Sequence, residues 1–251
     1  MPFGLKNAPF TFSKMMADIL RGCDHFAVPY LDDVAIYSNS WEEHLIHLNA
    51  IMSKIKDAGL TIKPIKCKFA QDRVKYLGHI VGRGIRTPNE VKVKAVLDFP
   101  VPTTKSQVRA FLGLAGYYNH YILMFSSIVA PLTETLKGKL RQGKINWTEE
   151  CTRAFKELKD KLSQQPILYA PDFNKEFILQ TDALNSGMGV ILAQKDDNDK
   201  EHPVLYLSKK FSETEKKVFY CRKRMRCHNI CCKKTAMLFR RVFKIPHHDG
   251  P

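Results

Sequence analysis

The sequence predicts an α+β protein in which two sheet-forming regions flank a small all-helical region. In the first 81 residues, the apolar pattern changes in the order helix, strand, turn, strand, helix, strand, strand. Between residues 87 and 141 the apolar residues recur at helical spacing, and three strand-like runs follow residue 175. These three observations give the fold class.

Composition and charge limit the function classes. The chain of 251 residues is 44% hydrophobic, which suffices for one large or two small cores. No apolar run approaches the roughly eighteen residues needed to span a bilayer, and the N-terminus lacks the layout of a signal peptide. We therefore expect an intracellular protein of the cytoplasm or nucleus, not secreted, with no membrane partner and with reduced cysteines. The net charge of +15 predicts a nucleic-acid partner, and residues 216–251 carry 11 Lys or Arg against one acid, Asp249.

The first region contains a helix from about Pro9 to Arg21 and then a strand-turn-strand segment. Its centre is the run Tyr30-Leu31-Asp32-Asp33-Val34, which predicts a tight β-hairpin with two adjacent carboxylates at its turn. Such a pair can ligate Mg²⁺, which takes carboxylate oxygens together with substrate phosphates. A solvated Asp-Asp turn is the alternative interpretation of this segment alone.

Helix caps and strand-like alternation predict the next elements. Ser40-Trp41-Glu42-Glu43 is a capping box that begins a helix ending at Gly59. Strands are expected at residues 60–63 and 74–81. The basic loop between them holds Lys66 and Lys68.

The helical region begins with a second capping box, Thr87-Pro88-Asn89-Glu90, which predicts a helix over about residues 88–98. Thr104 begins another helix. Gly113 and Gly116 inside that helix each cost roughly 1 kcal/mol against Ala, which predicts close contact with a neighbouring helix. A short helix at residues 128–136 and a linker at 138–143 complete the region.

The last region begins with a helix capped by Thr148 and ending near Ser163. Strands are then expected at residues 176–182, 189–194 and 202–208. Asp182 ends the first of these strands, which makes it a second candidate metal ligand. A simple turn residue is the alternative.

Taken together, the chain resembles the reverse transcriptase and ribonuclease H portion of a gypsy-type LTR retrotransposon polyprotein, over residues 1 to about 217. Five motifs in the family's order carry the resemblance. They are Met1-Pro2-Phe3-Gly4-Leu5-Lys6-Asn7-Ala8-Pro9 before the palm helix, Tyr30-Leu31-Asp32-Asp33 of the polymerase metal site, Tyr76-Leu77-Gly78-His79 of the primer-grip hairpin, Phe111-Leu112-Gly113-Leu114-Ala115-Gly116-Tyr117-Tyr118 of the thumb, and Thr181-Asp182-Ala183 with Gly187-Met188-Gly189 of the first ribonuclease H strand.

The resemblance implies four regions. Residues 1–86 would form a partial polymerase palm and residues 87–141 a helical thumb. Residues 142–217 would form an incomplete ribonuclease H-like α/β domain, and residues 218–251 a basic, cysteine-rich tail.

The resemblance also implies an activity, which is the addition of deoxynucleotides to a primer 3′-OH on an RNA or DNA template with Mg²⁺ or Mn²⁺. The catalytic and metal-binding residues would be Asp32, Asp33 and Asp182. The residues that would contact nucleic acid or nucleotide are Phe3, Gly4, Lys6, Tyr30, Lys66, Lys68, Leu77 and Gly78. The implied partners are a template–primer and deoxynucleotides, and the oligomeric state is left open.

The chain departs from the family at its start. A further metal-binding Asp of the family lies upstream of the motif that begins here at Met1. We therefore expect this chain not to polymerise by itself, and a non-enzymatic, basic nucleic-acid-binding protein is the alternative function.

The tail departs as well, because residues 218–235 do not resemble the family helix. Codons can be chosen for them so that the next frame spells Phe-Ser-Thr-Val-Glu-Lys-Glu-Cys-Ala-Ala-Ile-Thr-Tyr-Val-Val-Lys-Lys-Leu, which resembles the ribonuclease H helix that carries the family's catalytic Glu. We hypothesise a reading-frame shift, which the coding DNA tests.

A zinc site in the tail is disfavoured, because the Cys and His spacing from Cys221 to Cys232 is not the paired Cys-x2-Cys pattern of ordinary zinc modules.

Overall fold

Two units, divided between Gln71 and Asp72, make up the chain. The computed structural model describes residues 6–138, 143–184 and 187–212, so Phe3, Gly4 and the predicted tail lie outside the described residues. The described parts mix helices with antiparallel sheets, which confirms the predicted α+β class. Within these parts, no helix is both long enough and apolar enough to cross a bilayer.

The smaller unit contains two helices and one hairpin. Its elements are α1 (Ala8–Ile19), β1 (Ala27–Tyr30), β2 (Asp33–Ile36) and α2 (Trp41–Asp57). Strands β1 and β2 pair antiparallel, and the two helices bury their apolar faces with the hairpin. The buried residues of this core are Met16, Leu20, Cys23, Phe26, Ala27, Ile51 and Ile55.

Local capping begins α2 as the sequence predicts. The Ser40 hydroxyl accepts a hydrogen bond from the Glu43 N–H at 3.2 Å, while the Glu43 carboxylate accepts from the Asn39 N–H instead of the Ser40 N–H. The strand predicted at residues 60–63 is wrong. That segment is irregular and leads into a 3-10 turn at Pro64–Lys66, while Leu60 packs against the core.

The larger unit contains two antiparallel sheets and five helices in its described residues. Its elements are β3 (Val74–Tyr76), β4 (His79–Gly82), β5 (Ile85–Pro88), α3 (Glu90–Leu97), α4 (Lys105–Gly116), α5 (Phe125–Ile128), α6 (Ala130–Glu134), α7 (Glu149–Ser163), β6 (Leu168–Tyr169), β7 (Ile178–Leu184), β8 (Gly187–Lys195) and β9 (Glu201–Lys210). The sheet orders are β3-β4-β5-β6 and β7-β8-β9.

Two of the three predicted caps in this unit are confirmed. Thr104 forms a complete capping box with Gln107, and the Thr148 hydroxyl accepts from the Cys151 N–H. The box predicted at Thr87 is wrong, because Thr87 and Pro88 are paired in β5. The cap of α3 is Asn89, whose side chain accepts from the Val91 N–H.

One core joins helices from both sides of the predicted boundary at residue 141. Helix α7, which the sequence placed in the third region, packs Phe155 and Leu158 against Val96 and Phe111 of the helical region. Leu168 of β6 joins the same core, and β6 pairs with β5. The domain limits at residues 86, 141 and 217 stay predictions, while the contacts show that α7 and the thumb-like helices share one interior.

Glycines permit close contacts in the second sheet, but not in α4, where the sequence predicted them. A Cβ on Gly113 would meet nothing within 4 Å, and one on Gly116 would meet only the Phe125 ring, at 3.9 Å. The close helix contact predicted at these two glycines is therefore wrong. A Cβ on Gly187 would lie 2.6 Å from the Lys209 carbonyl oxygen and 3.3 Å from the Ser127 hydroxyl. One on Gly189 would collide with the sulfur of Met124.

The same substitution should therefore have opposite effects at two glycines. Gly187→Ala should lower the free energy of unfolding by about 1–3 kcal/mol, because strand β9 cannot retreat from the new methyl group. Gly113→Ala should raise it by about 0.5–1 kcal/mol, because helical Ala is favoured where space is open. Urea unfolding followed by Trp147 fluorescence in a Trp41→Phe background measures both, and equal effects would contradict the packing described here.

Candidate active site and nucleic-acid interface

The hairpin of the smaller unit presents both predicted carboxylates to solvent. Tyr30 of β1 pairs with Asp33 of β2, which leaves Leu31 and Asp32 as a two-residue loop. Asp32 therefore lies in the turn while Asp33 begins the second strand, whereas the sequence predicted both at the turn. Leu31 adopts a φ of 53°, the left-handed region that L-residues with a side chain rarely occupy.

The donor set at this hairpin suits a hard divalent cation. Asp32 and Asp33 are adjacent and exposed, and beside them Tyr30 is 48% exposed. Mg²⁺ is commonly held by one or two carboxylates, with waters and substrate phosphates as its other ligands. Within residues 6–138, 143–184 and 187–212, no group of three or more metal-ligating side chains occurs. The hairpin thus presents two carboxylates, and their role as metal ligands stays a prediction.

The predicted phosphate-contacting lysines of the smaller unit are accessible. Lys6 precedes α1, Lys66 ends the 3-10 turn at Pro64–Lys66, and Lys68 follows two residues later. All three side chains are exposed. Each ammonium is accessible to a phosphate, and the phosphate contact itself stays a prediction.

Asp182 lies within a strand and not at its end. Strand β7 continues two residues beyond it, and Asp182 pairs with Gly189 of β8, which in turn pairs with Ser208 of β9. The Asp182 side chain is exposed. The other two members of this cross-strand row contact α5, since Met124 lies beside Gly189 and the Ser126 and Ser208 hydroxyls are 3.0 Å apart.

A second hairpin turn in the larger unit is held by the end of α4. Leu77 and Gly78 join β3 to β4 with φ values of 45° and 70°, and positive φ at both central residues is the pattern of a type I′ turn. The Tyr117 hydroxyl donates to the Leu77 carbonyl oxygen at 2.5 Å. The Tyr118 hydroxyl donates to the Gly78 carbonyl oxygen at 2.8 Å.

His79, the first residue of β4, follows this turn and is surrounded by aromatic rings. Its imidazole stacks on Tyr117 and Tyr121 with centroid distances of 5.5 and 5.6 Å, and its Nδ1 lies 2.9 Å from the Tyr121 hydroxyl. Burial, with smaller contributions from the charges of Arg86 and Lys92, lowers the pKa of His79 to about 4. Burial raises the pKa of Tyr121 to about 12, so both groups are neutral at pH 7.

Sequence reasoning singled out Leu77 and Gly78 but assigned these tyrosines no role in holding them. Tyr117 and Tyr118 were noted as part of a thumb motif, and Tyr121 was not noted. The available signal was the presence of three tyrosines within five residues at the end of a helix. Nothing local in that pattern indicates a bond to residues 40 positions earlier in the chain.

Comparisons with known proteins give the family. Residues 1–81 match the family model of reverse transcriptase (RNA-dependent DNA polymerase), and residues 147–245 match the model of the RNase H-like domain found in reverse transcriptase. The retrovirus-related Pol polyprotein from transposon 297 of Drosophila melanogaster is 40% identical over 218 residues. The chain carries a reverse transcriptase region and an RNase H-like region similar to those of LTR retrotransposon polyproteins.

Other relatives agree with this assignment. The transposon Tf2-3 polyprotein of Schizosaccharomyces pombe is 35% identical over 216 residues. The alignments to it and to the transposon 297 polyprotein each cover 86% of this reverse transcriptase segment, which spans 16% and 20% of their respective lengths. The RNase H-like match continues past residue 217 and includes much of the tail predicted to be out of frame, so the frameshift stays a hypothesis.

Solved structures share the fold. The foamy viral protease-reverse transcriptase dRH in complex with double-stranded DNA has a TM-score of 0.77 at 23% identity, covering 86% of this chain and 37% of that one. The foamy viral protease-reverse transcriptase in complex with double-stranded DNA has a TM-score of 0.79 at 21% identity, covering 96% and 48%. The predicted architecture of a partial polymerase followed by an RNase H-like domain is thereby confirmed.

The lowered pKa of His79 predicts how acid acts on the larger unit. Between about pH 6.5 and pH 4 the unfolded chain binds a proton at this position and the folded chain does not, so stability falls as pH falls through that window. His79→Gln should reduce this loss. Burial also lowers the pKa of His120, so that residue preserves part of the effect.

The measurement is urea unfolding at pH 4.5 and pH 7, followed by Trp147 fluorescence in the Trp41→Phe background. His25→Gln in the smaller unit is the control and should leave the difference between the two pH values unchanged. An undiminished difference in His79→Gln would contradict the assignment.

Proposed function

We propose that this chain supplies metal-binding and primer-binding parts of an RNA-directed DNA polymerase. In this proposal Asp32 and Asp33 ligate the divalent cation, and the Leu77–Gly78 turn contacts the primer strand. The observation that carries the proposal is the hairpin that exposes both carboxylates within the region matched by the reverse transcriptase model. The proposal for this chain is limited to these parts and does not extend to the other activities of the whole polyproteins.

The chemistry follows from the residue types. Divalent ions of a polymerase activate the primer 3′-OH and stabilise the leaving pyrophosphate. For Mg²⁺ or Mn²⁺, Asp32 would be the stronger ligand and Asp33 the auxiliary one. Lys6, Lys66 and Lys68 would contact phosphates of the template–primer or deoxynucleotide, and Tyr30 would border the metal site.

The partner class is nucleic acid. The foamy viral enzymes were solved with double-stranded DNA and with an RNA/DNA hybrid, which supports duplex binding by a chain of the same fold. In the RNase H-like region, Asp182 is proposed as a carboxylate ligand for a metal acting on the RNA strand of a hybrid, and its exposure supports this role. An intracellular location, in the cytoplasm or nucleus, belongs to the same proposal.

Removing one hairpin carboxylate should weaken divalent metal binding. We expect Asp32→Asn to lower the affinity for Mn²⁺ by about tenfold or more, and Asp33→Asn to lower it less, because an amide is a poorer ligand than a carboxylate. Titration followed by the electron paramagnetic resonance signal of free Mn²⁺ measures this. Asp24→Asn, an exposed acid of the same unit, should bind like the wild type. Equal affinity in the wild type and all three variants would exclude Asp32 and Asp33 as ligands of the metal.

A primer-extension assay tests turnover, and the sequence-based expectation is that this chain gives none by itself. Binding without turnover would favour the alternative function of a basic nucleic-acid-binding protein, which the charge of residues 216–251 supports.

A variant in which Arg222, Lys223, Arg224 and Arg226 are changed to Gln tests this alternative. The slope of log affinity against log salt concentration for duplex binding should become shallower, by an amount that corresponds to up to about four counterions. An unchanged slope would exclude these four side chains from phosphate binding.

A further inference from the structure

Three consecutive residues of the β3–β4 hairpin are each hydrogen-bonded by a different tyrosine of the segment that ends α4. Leu77 is held through its carbonyl oxygen by Tyr117, and Gly78 through its carbonyl oxygen by Tyr118. His79 is held through its ring by Tyr121. These bonds link segments about 40 residues apart in sequence.

Tyr118 is itself held in place by its surroundings. Tyr118 is fully buried, and its hydroxyl oxygen also accepts from the Asn89 N–H at 3.3 Å. The same N–H approaches the Gly78 carbonyl oxygen at 3.3 Å. Because Asn89 caps α3, the turn, the start of α3 and the end of α4 form one hydrogen-bonded assembly.

The hairpin needs such support, because its own pairing is short. Strand β3 has three residues and lies at the edge of the sheet, next to the four-residue β4. Short two-stranded pairings are marginally stable in water by themselves. The orientation of the turn therefore depends on what the turn contacts outside the strands, and these contacts include the Tyr117 and Tyr118 hydroxyls and the Asn89 N–H.

The bonds also decide which polar groups the turn presents. In a trans peptide the N–H points away from the carbonyl oxygen of the same unit. With the Leu77 oxygen turned toward Tyr117, the Gly78 N–H is directed away from α4. The Lys92 ammonium lies 4.0 Å from the centre of the Tyr117 ring and would be 2.6 Å from a Cβ on Gly78. The two carbonyl oxygens, which would repel an anion, are engaged by hydroxyls.

We propose that Tyr117 and Tyr118 are positioning residues whose hydroxyls hold the Leu77–Gly78 turn on the thumb, so that the Gly78 N–H and the Lys92 ammonium face a phosphate of the primer strand. This inference rests on the proposed function for the contact between the turn and the primer. The mechanical part, that the hydroxyls hold the turn, stands on the distances alone.

The test uses the full chain with Tyr117→Phe, Tyr118→Phe and both changes together. Tyr169→Phe is the matched control, because it removes a hydroxyl from β6 at the opposite edge of the same sheet. Hydrogen exchange within residues 76–79, followed at the Tyr76 and His79 N–H groups that pair across the turn, is measured in the free protein. Dissociation constants are measured by fluorescence anisotropy for a recessed primer–template and for a blunt duplex of equal length.

We expect exchange at the turn to become about tenfold faster in the double variant, the change that corresponds to losing one or two hydrogen bonds. Affinity for the recessed primer–template should fall about tenfold, while affinity for the blunt duplex changes less than about twofold. Tyr169→Phe should match the wild type in both measurements. A general loss of stability would weaken both duplexes alike and therefore would not give this selectivity.

Each other outcome overturns part of the proposal. Unchanged exchange at residues 76–79 means that the hydroxyls do not hold the turn. Faster exchange with equal losses on both duplexes removes the positioning role. If the wild type binds neither duplex, the proposed function fails, and the exchange data alone decide whether the tyrosines hold the turn. If Tyr118→Phe does not fold, Tyr117→Phe still decides the outcome, since Tyr117 is 45% exposed.

Discussion

The burial of α4 is the constraint on which the larger unit depends. Phe111 is fully buried, with its ring 5.5 Å from that of Phe99 and 4.5 Å from that of Phe155 on α7. The Phe111 side chain thus connects the segment after α3 with α7, which lies much later in the chain. Helix α4 ends at Gly116 and is followed directly by Tyr117 and Tyr118, so the packing that closes the core also sets the position of the β3–β4 turn.

The elements that sequence reasoning predicted well are those with strong local signals. A cap is a bond between residues three apart, so Ser40, Thr104 and Thr148 could be recognised directly. The cap predicted at Thr87 failed because a non-local interaction competed with it. Pairing of β4 with β5 continues through Pro88, which faces His79, and the helix can begin only after the ladder ends.

The remainder of the fold depends on pairings that no short window contains. Strand β6 has two residues and exists because Leu168 pairs with Arg86, more than 80 positions earlier. Residues 60–63 have a strand-like pattern, but Leu60 and Ile62 pack against the smaller unit's core as an irregular segment that leads into a 3-10 turn. At the candidate site, the sequence located the carboxylates of Asp32 and Asp33 through their motif. The tyrosine bonds to the turn escaped it, since they depend on how α4 packs.

Gly187 and Gly189 belong to the motif that resembles the first ribonuclease H strand, and packing explains why glycine occupies both positions. Met124 begins α5 with a φ of 56°, a left-handed conformation that is unfavourable for a residue with a side chain. Its sulfur occupies the space that a side chain on Gly189 would need, and its carbonyl oxygen accepts from the Ser127 N–H. Glycine in β8 permits this close approach of the thumb-like helices to the second sheet, in the row that also contains Asp182. The glycines of this motif therefore contribute packing space beside the candidate acid, while the carboxylate itself stays exposed to solvent.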